Sequence, residues 1–284
     1  MIIFDCDGVL LDSEVIADRI LCESLSELIN KKENHHEMSD PSFVQQWLVD
    51  LCGQTDEEIL NQFSELTEVQ LPHDFLTQFQ SSLFKSLGQE VKSISGIKRL
   101  LISLGENWAV ASNSSFQRLR VSLKQADLYD LCESRLFSSE QVERPKPAPD
   151  LHLHISRKFK IPPPQCLVVE DSPAGVIAAL KAGMRVVGFT AGSHITPKHI
   201  EMLKQAGATN IVNDVEELTD FINAFEDGLN ETKFILPTGQ SGLPNSPHYK
   251  DQAELYHAGG YRRTMFDLDE INTDENIKHL VLTP

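Results

Sequence analysis

The chain has no closely spaced cysteines: Cys6, Cys22, Cys52, Cys132 and Cys166 are scattered, and no C-x-x-C pair occurs. That excludes a disulfide framework and a cysteine-based zinc site, and thiols left reduced point to the cytoplasm. No run approaches the roughly eighteen apolar residues of a membrane span. The first residues form a short apolar run ending in acid, so neither a signal peptide nor an anchor is expected, and a membrane is not an expected partner. Clustered cations are also missing. Lys and Arg number 25 against 42 Asp and Glu, for a formal charge of −17, and no long basic patch forms. Nucleic acid is thereby disfavoured as a partner, because its backbone is held by grouped Lys and Arg. No internal repeat is visible.

What is present is enough apolar sequence, 40% of 284 residues, to bury the core of one or two domains. From about residue 95 short apolar runs alternate with amphipathic stretches of helical length, the pattern of buried parallel strands and their crossover helices. The predicted strands are 108–111, 135–137, 166–169, 185–189 and 210–212, and residues 2–4 have the same character. Helices are predicted over 97–104, 115–126, 150–159, 173–182, 197–205 and 215–225, two of them stopped near Gly183 and Gly207. The expected fold class is therefore α/β, a doubly wound, Rossmann-like parallel sheet built from residues 1–13 and 89–226.

Residues 14–88 break the rhythm with polar, helix-favouring sequence, and are expected to form an inserted helical cap. Within it, residues 31–42 (KKENHHEMSDPS) read as a solvated loop, with His35 and His36 on it rather than on a metal. Phe43, Trp47 and Gln54 are cap residues that could meet a ligand, although an aromatic on a helix more often packs. His152 and His154, two apart on a predicted helix, point to different faces and are taken as structural. Residues 227–284, dense in Gly, Pro, Ser and Asn without period, are expected to form an irregular tail.

Ligands of doubly wound sheets sit beyond the carboxyl ends of the strands, so residues that follow strands are the ones to inspect. In FDCDGVLLDSE the first strand delivers Asp5 and Asp7, with Gly8 allowing a tight turn. Two carboxylates could divide nucleophile and acid/base duties. In WAVASNSS, Ser112 offers a hydroxyl, and Asn113 with the following helix N-terminus adds donors suited to an anion. In ERPKPAPD, Lys146 is held between two prolines. In CLVVEDSPAG a buried strand ends in Glu170 and Asp171, hard oxygen ligands of the kind Mg²⁺ takes, before the N-cap Ser172 and Pro173. Singly each has an ordinary explanation: a polar strand end, a Ser-rich N-cap, a loop lysine, or acid facing a helix dipole. Together, in this order at one sheet edge, they do not.

This set of four segments resembles the haloacid dehalogenase superfamily over residues 1–225. The details DSE, KPAPD and EDSPAG are most similar to the branch containing β-phosphoglucomutase and small sugar-phosphate phosphatases. The resemblance implies that Asp5 attacks phosphorus in line, that Asp7 protonates the leaving oxygen and then activates water, and that Ser112, Asn113 and Lys146 hold the phosphoryl group. It implies Mg²⁺ held by Asp5, the Asp7 carbonyl, Glu170 and Asp171. One carboxylate and one phosphate charge about 4 Å apart repel by roughly 4 kcal/mol at an effective dielectric near 20, so a divalent cation answers a real electrostatic problem. The implied partner is a small phosphorylated metabolite, and the implied activity a phosphatase acting through an aspartyl-phosphate.

A mutase of the β-phosphoglucomutase kind is the nearest rival. Such enzymes place a His shortly after the first motif, where this chain has Ala17. Their cap loop carries Lys before Gly and Arg after it, where LCGQTDEE has Cys52 before Gly53 and then Asp56. The phosphatase reading is preferred. A metal-free dehalogenase is disfavoured by the Glu170 and Asp171 pair. Residues 235–266 (ILPTGQSGLPNSPHYKDQAELYHAGGYRRTMF) resemble the C-terminal end of the penicillin amidase family. The processed N-terminal Ser and the body of that fold have no counterpart, so a noncatalytic fused segment is expected.

Overall fold

The computed structural model describes residues 1–30, 41–50 and 56–234. His35, His36, Cys52, Gly53, Gln54 and the tail beyond Phe234 lie outside the described residues.

Six parallel strands form one sheet: β1 (Ile2–Phe4), β2 (Trp108–Ser112), β3 (Leu136–Ser138), β4 (Leu167–Glu170), β5 (Arg185–Phe189) and β6 (Ile211–Val212). Their order is β3-β2-β1-β4-β5-β6. The chain thus winds outward from β1 in both directions, and β1 stands at the switch point where a crevice opens above the carboxyl ends. The strands are short and apolar because helices cover both faces, and alternate residues feed opposite layers. Ile2, Phe4, Trp108, Val110, Leu167 and Val169 enter one core cluster. Ile3, Ala109, Ala111 and Val168 enter the other. Phe4 meets Trp108 edge to face, ring centroids 6.4 Å apart, tying β1 to β2.

Between β1 and β2 the described residues hold α1 (Glu14–Asn30), α2 (Pro41–Asp50), α3 (Asp56–Thr67), α4 (Phe75–Glu90) and α5 (Ile97–Ser103), and no strand. α2 starts at Pro41, inside the stretch expected to be loop; a proline is favourable at a first helical position, where its missing N–H costs no bond. Along α4, Phe75, Phe79, Leu83 and Leu87 recur every four residues and are buried, giving one apolar stripe. That stripe explains why a polar-looking segment packs: α1 lies against both α2 and α4. Trp47 is partly buried, its ring 6.2 Å from that of Phe63, so it serves packing.

The remaining helices are α6 (Phe116–Gln125), the single turn α7 (Tyr129–Cys132), α8 (Asp150–Phe159), α9 (Pro173–Lys181), α10 (Pro197–Gln205) and α11 (Val215–Phe234). α6, α9 and α10 begin on side-chain caps: Ser115 Oγ accepts from Arg118 N, Ser172 Oγ from Gly175 N and Thr196 Oγ1 from His199 N. α11 runs on to Phe234, past the Phe225 end predicted from periodicity and into the segment read as irregular tail. Among the described residues, no helix is long and apolar enough to cross a membrane.

The two connections joining the α1–α4 segment to the sheet run side by side. Asp12 N donates to Lys92 O, Ile94 N donates to Leu10 O, and Leu11 pairs with Ser93 in an antiparallel bridge. The segments leading into and out of residues 14–88, residues 10–12 and 92–94, therefore form one two-stranded neck.

Candidate active site

Strand register builds the centre. Phe4 is level with Val110 on one side and Val169 on the other, so Asp5, Ala111 and Glu170 stand one step further along, at the carboxyl edge. Asp5 N still donates to Val169 O, at 2.9 Å, which continues the ladder and fixes where the carboxylate starts. Lys146 arrives from the loop before α8 and closes this row: its Nζ donates to Asp5 Oδ1 at 2.5 Å, to Ala111 O at 2.7 Å and to Glu170 Oε1 at 2.5 Å. All three ammonium donors are used, and Lys146 is only 6% exposed.

Asn113 explains how the lysine loop is held. Its amide donates to Lys146 O at 3.0 Å and its Oδ1 accepts from Lys146 N at 2.9 Å. The side chain expected to face phosphate is committed instead to this two-point clamp, because a loop lysine can be aimed only if its backbone is anchored. Ser112 is buried at the end of β2, its Oγ accepting from Ser114 N. Ser138 and Ser139, at the end of neighbouring β3, donate to Ser114 O and Asn113 O and fix the loop from below.

Asp7 turns away from Asp5. Ser13 Oγ donates to its Oδ1 and Ser114 Oγ to its Oδ2, each at 2.7 Å, and Arg118 Nη2 donates to Oδ1 at 3.2 Å. Burial pushes this carboxyl up, but Arg118 and the two hydroxyls outweigh it and hold Asp7 below the usual carboxylate range. Gly8 makes the turn with φ +78°, and a Cβ there would stand 1.7 Å from Asp171 Oδ2. Only glycine allows the first loop to lie this close to Asp171.

The buried residues Asp5, Glu170 and Asp171 bring carboxylate oxygens within 4.8 Å of one another. Glu170 is additionally fixed by Ser172, whose Oγ donates to Oε2 at 2.9 Å. Burial pushes Asp5 well above its ordinary range; Lys146 opposes this, and Glu170, Asp171 and Asp7 add to it. Burial also raises Asp171, with Glu170 adding and Lys146 opposing. Three buried carboxylates facing one ammonium are short of positive charge, and their hard oxygens suit a divalent cation such as Mg²⁺. The donor set fits that ion. The side chain of Asp7 is engaged instead by Ser13, Ser114 and Arg118.

Two groups were not foreseen from the sequence. Arg118, on the first turn of α6, reaches back to Asp7 and lies 3.7 Å from Glu14 Oε1. The loop after β5 brings His194 Nε2 to 3.1 Å from Asp171 Oδ2, while His199 Nε2 donates to Asp171 O at 2.6 Å. Ser193 binds that loop to the first one through both Asp12 oxygens, at 2.8 and 2.5 Å. The signal available was position: His194 follows a strand's carboxyl end, as the other site residues do. His152 is fully buried behind the site and is kept neutral by burial and by Lys146.

The sequence model described as haloacid dehalogenase-like hydrolase matches residues 2–189. A haloacid dehalogenase-like protein of unknown function from Agrobacterium tumefaciens superposes with a TM-score of 0.68 at 34% identity, over 79% of this chain and 98% of that one. A hydrolase of the same family from Deinococcus radiodurans, solved with bound phosphate and sodium, superposes with a TM-score of 0.65 at 28% identity, over 79% and 95% of the two chains. The 6-phosphogluconate phosphatase of Escherichia coli is 27% identical over 69% of this chain and 85% of its own length. The bifunctional riboflavin kinase/FMN phosphatase of Arabidopsis thaliana is 27% identical over 66% of this chain, which spans about half, 47%, of that longer protein. A second model, penicillin amidase, matches residues 193–273. Its described part, up to Phe234, supplies α10, β6 and α11 to the sheet domain.

Proposed function

We propose that this chain, which belongs to the haloacid dehalogenase-like hydrolase family, is a Mg²⁺-dependent phosphatase that cleaves a small phosphate monoester, a sugar phosphate in type, through an aspartyl-phosphate. The observation that carries the reading is the single buried centre in which Lys146 binds Asp5 and Glu170, with Asp171 alongside. The phosphatases among the relatives support the reaction class.

In this reading Asp5 attacks phosphorus in line with the ester oxygen, and a bond from its carboxylate to phosphorus forms as the P–O ester bond breaks. Asp7 gives a proton to the departing oxygen, then takes one from the water that attacks the aspartyl-phosphate. Lys146 and Ser112 hold the phosphoryl oxygens, and Asn113 aims Lys146 through its backbone clamp. Asp5, Glu170, Asp171 and the Asp7 carbonyl would hold Mg²⁺. The ion, when bound, supplies charge neutralisation between nucleophile and phosphate.

Residues 14–88 serve as the cap over the leaving group, hinged at the neck where Leu11 meets Ser93. The four described cysteines, Cys6, Cys22, Cys132 and Cys166, are buried as thiols, and a cytoplasmic location is part of the proposal. A screen of phosphorylated metabolites with Mg²⁺ tests the proposal: released phosphate is expected, and isomer formation without release would make the enzyme a mutase. Asp5→Asn should lower turnover about a thousandfold or more with the fold intact, since an amide of the same shape does not attack phosphorus. Full activity in that variant would refute the mechanism.

A further inference from the structure

Each of the two carboxylates that follow β1 has its own cation. Lys146 serves Asp5 and Glu170, whereas Asp7 is met by Arg118. The Arg118 guanidinium is three-quarters buried, its Nη2 bridges Asp7 and Glu14, and its Nε is buried without a partner. With Ser13 on Oδ1 and Ser114 on Oδ2, three donors from three different segments fix both oxygens of Asp7. Such convergence is more than a surface ion pair requires, since pairs of that kind contribute little and leave the carboxylate free to turn.

From this geometry we infer that Arg118 is a positioning residue for leaving-group departure: it holds the Asp7 carboxyl in place for proton transfer to the ester oxygen. The inference deepens the phosphatase reading and rests on it. When the P–O ester bond breaks, its electron pair stays on the departing oxygen and the proton that Asp7 carries once the anionic ester is bound goes there, returning Asp7 to the carboxylate form that Arg118 holds. Arg118 faces that new charge at hydrogen-bond distance and is already oriented, so no reorganisation is needed. In the second half, the attacking water gives its proton to the same oxygen pair as the bond from phosphorus to Asp5 breaks, and inorganic phosphate leaves. Arg118 touches neither phosphorus nor the ester oxygen in this account.

The test uses leaving groups of different basicity. An alkyl phosphate, whose alkoxide needs a proton, and p-nitrophenyl phosphate, whose phenolate does not, are compared in the full chain as kcat/KM, which reports ester cleavage and not the second half-reaction common to both. Arg118→Met should lower kcat/KM for the alkyl ester by about 100-fold, within the range general acid catalysis contributes, and for the aryl ester by much less. Arg118→Lys should recover a good part of the alkyl rate, and KM should change little in either variant. Equal losses on both esters, or no loss on the alkyl ester, would overturn the role of Arg118. Asp7→Asn is the control for the underlying reading: if it also slows both esters equally, Asp7 is not the acid, and the inference falls with it. Should Arg118→Met unfold, Arg118→Lys carries the comparison, and an unchanged alkyl to aryl ratio there counts against the proposal.

Discussion

Lys146 lies 141 residues from Asp5 along the chain, yet its ammonium stands 2.5 Å from the Asp5 carboxylate and an equal distance from Glu170. Both carboxylates are buried, so the lysine carries a structural load as well as a chemical one. Removing one partner from a buried ionic group leaves uncompensated charge, which costs more than the pair itself stabilises. Lys146→Met should therefore destabilise the protein by about 3 kcal/mol or more. Urea unfolding in the presence of EDTA measures it; a shift below about 1 kcal/mol would mean that the carboxylates find other compensation.

Metal binding and pH should be linked through Asp5 and Asp171. Both carboxyls are raised in the folded state, by burial first. Between the unfolded pKa, about 4, and the raised folded value, the folded chain holds more protons, so metal-free stability falls as pH rises. A divalent cation removes that penalty. Addition of Mg²⁺ should raise Tm more at pH 8 than at pH 5, and a shift independent of pH would argue against the carboxylate cluster as its site.

Gly8→Ala places a methyl group where Asp171 Oδ2 already stands, on a backbone at φ +78°. The left-handed conformation alone costs about 1 kcal/mol or more, and relief of the clash must move Asp171 or the Asp7 loop. Stability and Mg²⁺ affinity should both fall, with calorimetric titration of Mg²⁺ as the readout. Unaltered affinity would separate the Gly8 turn from the metal site.

The end of α11 at Phe234 corrects where the chain should be shortened. Ending it after Asp227, as the composition of the tail suggests, would cut an α-helix whose buried Leu218, Ile222 and Phe225 pack on the core. Truncation after Phe234 should keep phosphatase turnover within about twofold, since the candidate site and the described core all precede that residue. Loss of most of the soluble protein would show that residues beyond Phe234 are needed by the fold.

The local pattern is legible because the strands are short and apolar, and β2, β4 and β5 run into helices that start on side-chain caps. The predicted helix 197–205 and strand 185–189 coincide with α10 and β5, since Thr196 and Pro197 start the one and burial on both faces defines the other. Periodicity ends α11 too early because Asp227, Gly228 and Asn230 weaken the pattern, while its backbone continues to Phe234. Asn113, an amide just after a strand end, suits an anion by its local sequence, but a backbone 33 residues away takes both its polar atoms, a contact that local spacing does not encode.

The sequence by itself determined that Asp5, Ser112, Glu170 and Asp171 would share one edge, because β-strand ends in a parallel sheet do so whatever the loops do, whereas Lys146 reaches that edge from a loop held by Asn113. Tertiary structure decided which cation serves which carboxylate. Asp5 and Asp7 look alike in the sequence, two acids one residue apart. In a continuing strand they would share a face, but β1 ends at Phe4 and the left-handed turn at Gly8 takes the chain out of the strand, so they meet different partners, Lys146 for one and Arg118 for the other. Those pairings depend on side chains reaching across non-adjacent segments, a property of packing that no local spacing encodes.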